Sequence, residues 1–144
     1  MKRMILAAAL ALGTPAVAQV QLDTPGAPQA PADRGIEGVI QSQLDAFRGR
    51  DVEGAWQFAS PMIQGMFGSP RNFGTMVAQG YPMVWDNSAA RFLASRQDGV
   101  TTYQRVLIED AQGALHMLEY AMIPDGDGWL INGVQILPAP DVGA

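Results

Sequence analysis

The sequence predicts an α+β fold, with helices from its first half packed on an antiparallel sheet built by its second. Three observations predict it. From Asp33 to Gly80 apolar residues recur at helical spacing. Beyond Tyr81-Pro82 the period changes to that of strands, and Asp98-Gly99 is a strong two-residue hairpin turn. The other strand connections, Asp110 to Gly113 and Pro124 to Gly128, are turn-rich and of hairpin length. Helices first and an antiparallel meander afterwards place the helices on one sheet face.

Each element has its own signal. Ile36, Val39, Ile40, Leu44 and Phe47 form one apolar stripe of a first helix, and Gly49 is placed to stop it. Asp51 is a good N-cap for a second helix, with Val52, Ala55, Trp56 and Ala59 on one face. Ser60-Pro61 ends it and starts a short helical turn, with Pro at the first helical position. Ser69-Pro70 repeats the device before Phe73, Met76 and Val77, and Gly80 closes that helix. Four strands are expected over Ala89–Gln97, Val100–Glu109, Ala114–Ile123 and Trp129–Leu137. The last strand looks apolar on both faces, with Leu130, Val134 and Ile136 on one and Trp129, Ile131 and Leu137 on the other. The helices cover one face only, so a homodimer through the sheet is the simplest cover for the second. The rival cover is the proline-rich lead-in folding back.

The flanks speak to compartment. Lys2 and Arg3, the apolar run Met4 to Gly13 and the small-residue signature Ala16-Val17-Ala18 read as a secretory signal peptide, residues 1–18. The mature protein is therefore expected in a periplasm or outside the cell. Residues 19–34 read as a flexible proline-rich lead-in, 35–138 as one domain and 139–144 as a C-terminal tail. There is no cysteine, so burial rather than disulfides must hold the fold. No run after the signal approaches the roughly 20 apolar residues of a membrane span, and no anchor is expected. Once Lys2 and Arg3 leave, the cations are seven scattered Arg against fourteen Asp and Glu. No basic stripe exists for a phosphate backbone, which argues against nucleic acid as a partner.

No nucleophile elbow, phosphate loop or metal-ligand spacing appears, and no cofactor is implied. Gln43 falls near the centre of the first helix's apolar stripe, so its amide faces the core or a pocket. It makes either a structural hydrogen bond or a polar handle in an apolar cavity. His116, the one histidine, alternates with Leu118, Tyr120 and Met122 and reads first as a packed, hydrogen-bonded side chain. Glu119 lies on the other face among apolar neighbours. It is either a carboxylate of raised pKa or the partner of an Arg such as Arg105 across the sheet. Met and aromatic residues crowd Trp56 to Trp85, and such side chains suit core and adaptable cavity alike. Gln43, Trp56 and Met62 are expected to line a cavity from the helices, with Tyr81 and Trp85 at its mouth.

The stretch FASPMIQGMFGSPRNFGTMVAQGYPMVW (Phe58 to Trp85), preceded by QLDAF (Gln43 to Phe47) and followed by the tail GDGWLINGVQIL (Gly126 to Leu137), resembles the bacterial "domain of unknown function 4864" family. The likeness runs from about Ile36 to Leu137. It implies the cone-shaped fold of nuclear transport factor 2, with helices cupped by a curved sheet, in a superfamily whose members often pair through their sheets. That superfamily holds isomerases, dehydratases and cyclases beside non-catalytic binding modules, so fold alone selects no function. The expectation is a non-catalytic binding or interaction module with an apolar pocket for a small ligand. The alternative is a small cofactor-free enzyme of proton-transfer type, with Glu119 or His116 as base and Tyr81 or Gln43 polarising a carbonyl.

Overall fold

The computed structural model describes residues 35–138. The expected signal peptide, the lead-in and the tail lie outside the described residues. Among the described residues five helices come first: α1 (Ile36–Arg48), α2 (Val52–Trp56), α3 (Pro61–Phe67), α4 (Pro70–Gly80) and α5 (Pro82–Trp85). Four strands follow: β1 (Asn87–Asp98), β2 (Thr101–Asp110), β3 (Leu115–Asp125) and β4 (Gly128–Ile136). The strands form one antiparallel sheet in the order β1-β2-β3-β4. The fold class is α+β.

Local chemistry accounts for the helix starts. Asp51 accepts from the Gly54 amide at 2.9 Å, Ser60 from Ile63 at 3.3 Å and Ser69 from Asn72 at 3.2 Å. Pro61, Pro70 and Pro82 each open a helix, where a missing N–H costs nothing. The last of these, α5, falls where the sequence pattern had already turned to strand. Pro82 pre-sets its single turn, and burial of Met83 and Val84 holds it.

The stop after α1 differs from expectation. Gly49 has φ −86°, an ordinary value, and the left-handed residue is Arg50 at φ 60°. A non-glycine there is strained and needs support. Arg50 has it: its guanidinium donates to the carbonyls of Phe47 and Trp85, pairs with Asp86 at 2.6 Å and stacks 4.3 Å over the Trp85 ring.

The core lies between the helices and one sheet face. Val39, Ile40, Leu44 and Phe47 of α1 meet Val106, Ile108, Leu118, Tyr120 and Met122 of the sheet. Phe73 of α4 gathers three rings: Phe47 at 5.8 Å, Trp56 at 5.6 Å and Phe67 at 6.0 Å. Trp56 and Trp85 are thereby packing residues, the latter 6.0 Å from Phe47.

A β-bulge reshapes the last strand. Ala121 pairs with Gly133 but Met122 with Ile131, which leaves Asn132 as the extra residue. Unbroken alternation would put Ile131 and Val134 on opposite faces. The bulge turns both toward the helices and Leu130 away, so the two-faced apolar pattern read from the sequence is regrouped. The bulge is fastened from outside the sheet. Ser60 N donates to Ile131 O and Ile131 N to Phe58 O, both at 2.8 Å, and Ser60 Oγ lies 2.7 Å from Asn132 Oδ1. Residues 58–60 thus pair with the β4 edge and bring α3 over the sheet.

Candidate functional site: a cavity between helices and sheet

Between the helical layer and the sheet lies a cavity of about 220 Å³. Gln43 and Phe47 wall it from α1, and Ile63, Met66 and Phe67 from α3. Phe73 and Met76 close it from α4, while Tyr120, Ile131 and Val134 form its floor on the sheet. Tyr81 stands at the junction of α4 and α5. Met66 is both a wall and 66% exposed, which puts the opening beside α3. Among the described residues no charged side chain stands in these walls.

Three residues with polar side chains line this apolar space, and each is in a different state. Tyr81 Oη donates to the Val134 carbonyl at 2.9 Å. Gln43, 3% exposed, donates through Nε2 to the Ala55 carbonyl at 3.1 Å. Only an amide N–H can donate to a carbonyl, so this bond fixes the amide orientation and leaves Oε1 as the free end. Tyr120 is wholly buried, and its hydroxyl has no partner among the described residues. Burial pushes its phenol far above the usual value, with the nearby Tyr81 adding to the effect.

The sequence expectations fall unevenly on this geometry. Gln43 and Tyr81 are in the walls. Trp56, Met62 and Trp85 are not. Trp56 is turned against Phe73, and Met62 is 54% exposed because α3 points it to solvent. Trp85 borders a shallow groove with Val52, Arg71 and Gly74, beyond the α1–α4 packing, where Arg50 covers its ring. Tyr120 alternates with the core residues of its strand, and the signal for its buried hydroxyl is a phenol between Leu118 and Met122 on a buried face.

The two candidate bases stand apart from the cavity. Glu119 is on the opposite sheet face, its side chain 8% exposed, with Arg105 at 3.4 Å and Arg96 at 3.6 Å. Arg96 also stacks 4.2 Å over Tyr103. This is the ion pair across the sheet rather than a free carboxylate. His116 Nε2 lies 2.8 Å from Asp110 Oδ2. Asp110 Oδ1 accepts from the amides of Gln112 and Ala114, closing the β2–β3 turn. The His116 bond, then the Ala114 amide, hold the Asp110 carboxyl below its ordinary value. Neither Glu119 nor His116 lines the cavity. Among the described residues no three His, Cys, Asp or Glu side chains gather into a metal-sized group, and no helix is long and apolar enough to cross a membrane.

Residues 29–144 match the family model described as "Domain of unknown function (DUF4864)". The chain belongs to this family. The match spans every wall of the cavity, so the site is part of the DUF4864 domain itself. No curated protein matches the chain, and no solved structure does.

Proposed function

We propose that this DUF4864 chain is an exported, non-catalytic binding module that holds a small apolar ligand between its helices and its sheet. The observation that carries the proposal is the cavity of about 220 Å³, walled by aliphatic, Met and aromatic side chains and free of charge among the described residues. A catalytic base would have to open into the same space as the reacting atom. The titratable side chains singled out for that role, Glu119 and His116, are engaged with Arg96, Arg105 and Asp110 outside it.

Helices laid on one face of a meander with bulged strands support a nuclear transport factor 2-like cone. The basic, apolar and small-residue regions of residues 1–18 support export to a periplasm. The outward sheet face supports pairing with a second copy. It carries Leu107, Met117, Ile123 and Leu130, none of which packs into the core. Native mass spectrometry on protein purified from the host's exported fraction tests the function. A small adduct released on denaturation is expected. Bare protein that also fails to take up a small aromatic hydrocarbon would overturn it.

A further inference from the structure

We infer that the cavity takes a small uncharged molecule with an O–H or N–H donor on an apolar body, the donor bonded to Gln43 Oε1. The inference rests on the cavity being a binding site and adds the class of ligand and its point of attachment.

The Gln43 amide is the starting point. Gln43 stands in the middle of α1, 3% exposed, and lines the cavity. Its nitrogen donates to Ala55 O at 3.1 Å, so the oxygen is the end left over. No described residue donates to that oxygen, and it keeps accessible surface. Among the described residues the buried side-chain polar atom with neither partner nor access is Tyr120 Oη. The surface left to a side chain this deep in α1 is the surface it gives the cavity it lines. Gln43 Oε1 is thus a reachable acceptor in an apolar wall, whereas Tyr120 Oη is sealed and takes no part.

Tyr81, also in the walls, spends its hydrogen on Val134 O and has no other to give. The unpartnered polar atom that an occupant meets is therefore an acceptor. A ketone or ether would set its own lone pairs against Oε1, while an alcohol or an N–H group completes it. Water completes it poorly. A water held in a cavity needs two to four polar partners, and these walls are mostly aliphatic, Met and aromatic. A donor on an apolar body keeps the bond to Oε1 and displaces the weakly held water beside it.

Charge and volume narrow the class. Among the described residues no charged side chain stands in the walls. An ammonium group would also donate to Oε1, but it would leave water without a counter-charge, a loss that one hydrogen bond does not repay. A cavity of about 150 Å³ accepts benzene, so about 220 Å³ accommodates a substituted ring.

Four probes of equal heavy-atom count separate the possibilities: benzyl alcohol, benzaldehyde, benzylammonium and ethylbenzene. Binding is read from methyl shifts of Met66, Met76 and Val134 in nuclear magnetic resonance titrations of the wild-type protein and of Gln43→Met. The Gln43 side-chain carbonyl carbon is followed in the wild type. Benzyl alcohol is expected to bind roughly fivefold tighter than benzaldehyde, the value of one net hydrogen bond, and to shift that carbon. Benzylammonium is expected to bind weakest. In Gln43→Met benzyl alcohol should fall to the level of benzaldehyde, with ethylbenzene no weaker than in the wild type. If wild-type protein binds benzaldehyde as tightly as benzyl alcohol, the inference is overturned while the binding cavity stands. Benzylammonium matching benzyl alcohol overturns the uncharged class. If none of the four moves these methyls, the binding site itself is lost and the inference with it. The wild-type comparison decides even where the variant fails to fold.

Discussion

Tyr81 and Tyr120 both line the cavity, and of the two only Tyr81 has its hydroxyl bonded to a described residue. Tyr81 Oη donates to the carbonyl of Val134, the residue paired with Tyr120 across the β3–β4 ladder. One phenol thus secures the bulged strand, and the other is buried without a partner among the described residues.

Stability reports on that division. Tyr120→Phe removes an unmet hydroxyl and keeps the ring, so the unliganded protein should be unchanged or more stable by about 1 kcal/mol. Tyr81→Phe leaves the Val134 carbonyl without its donor and should cost about 1 kcal/mol. Urea unfolding of both variants checks this. A loss from Tyr120→Phe as large as that from Tyr81→Phe would show that the Tyr120 hydroxyl is already satisfied.

Alkaline titration gives a second handle. The Tyr120 phenol is raised in the folded state, so the unfolded chain ionises first, near pH 10. The linked stability is whole below that pH and is lost as pH rises through it. Phenolate absorbance from Tyr120 should therefore appear together with unfolding. Tyr120→Phe should lose that phase, and a phase of the same size in the variant would contradict the assignment.

The acid limb belongs to Asp110. Its folded value is depressed by His116 and the turn amides, so its contribution is present above the ordinary carboxylate pKa and is withdrawn as pH falls through the folded value. Asp110→Asn should lower the urea midpoint at pH 7 and narrow the gap to wild type at pH 3. A gap that stays constant would remove the charge from this account.

Trp85 separates packing from binding. It packs against Phe47 and under Arg50 and is absent from the cavity walls. Trp85→Ala should cost roughly 3 kcal/mol of stability and leave ethylbenzene affinity unchanged. Weakened binding in a stable variant would return Trp85 to the mouth.

How much of this was legible in the sequence follows from the range of each interaction. Asp51, Ser60 and Ser69 announce helix starts because a cap is satisfied within three residues. Asp98-Gly99 announces its hairpin for the same local reason, with Gly99 at φ 65°. Asn132 could not be read as a bulge. A single extra residue is fixed by Ser60, 72 positions away, and it reverses which side chains face the cavity. Arg50 took the left-handed position beside a glycine because Trp85 and Asp86 hold its guanidinium. Gln43 was legible from its place in the α1 stripe. The state of the Tyr120 hydroxyl was not, since it depends on what every surrounding element fails to offer.

The central claim is that the space between helices and sheet binds a small apolar molecule. Nuclear Overhauser contacts from bound ethylbenzene, which lacks any hydrogen-bonding group, test it most directly. The account predicts contacts to the methyls of Met76, Ile131 and Val134. Contacts confined to Leu107, Met117 and Leu130 on the outer sheet face, or no contacts at saturating ethylbenzene, would contradict it.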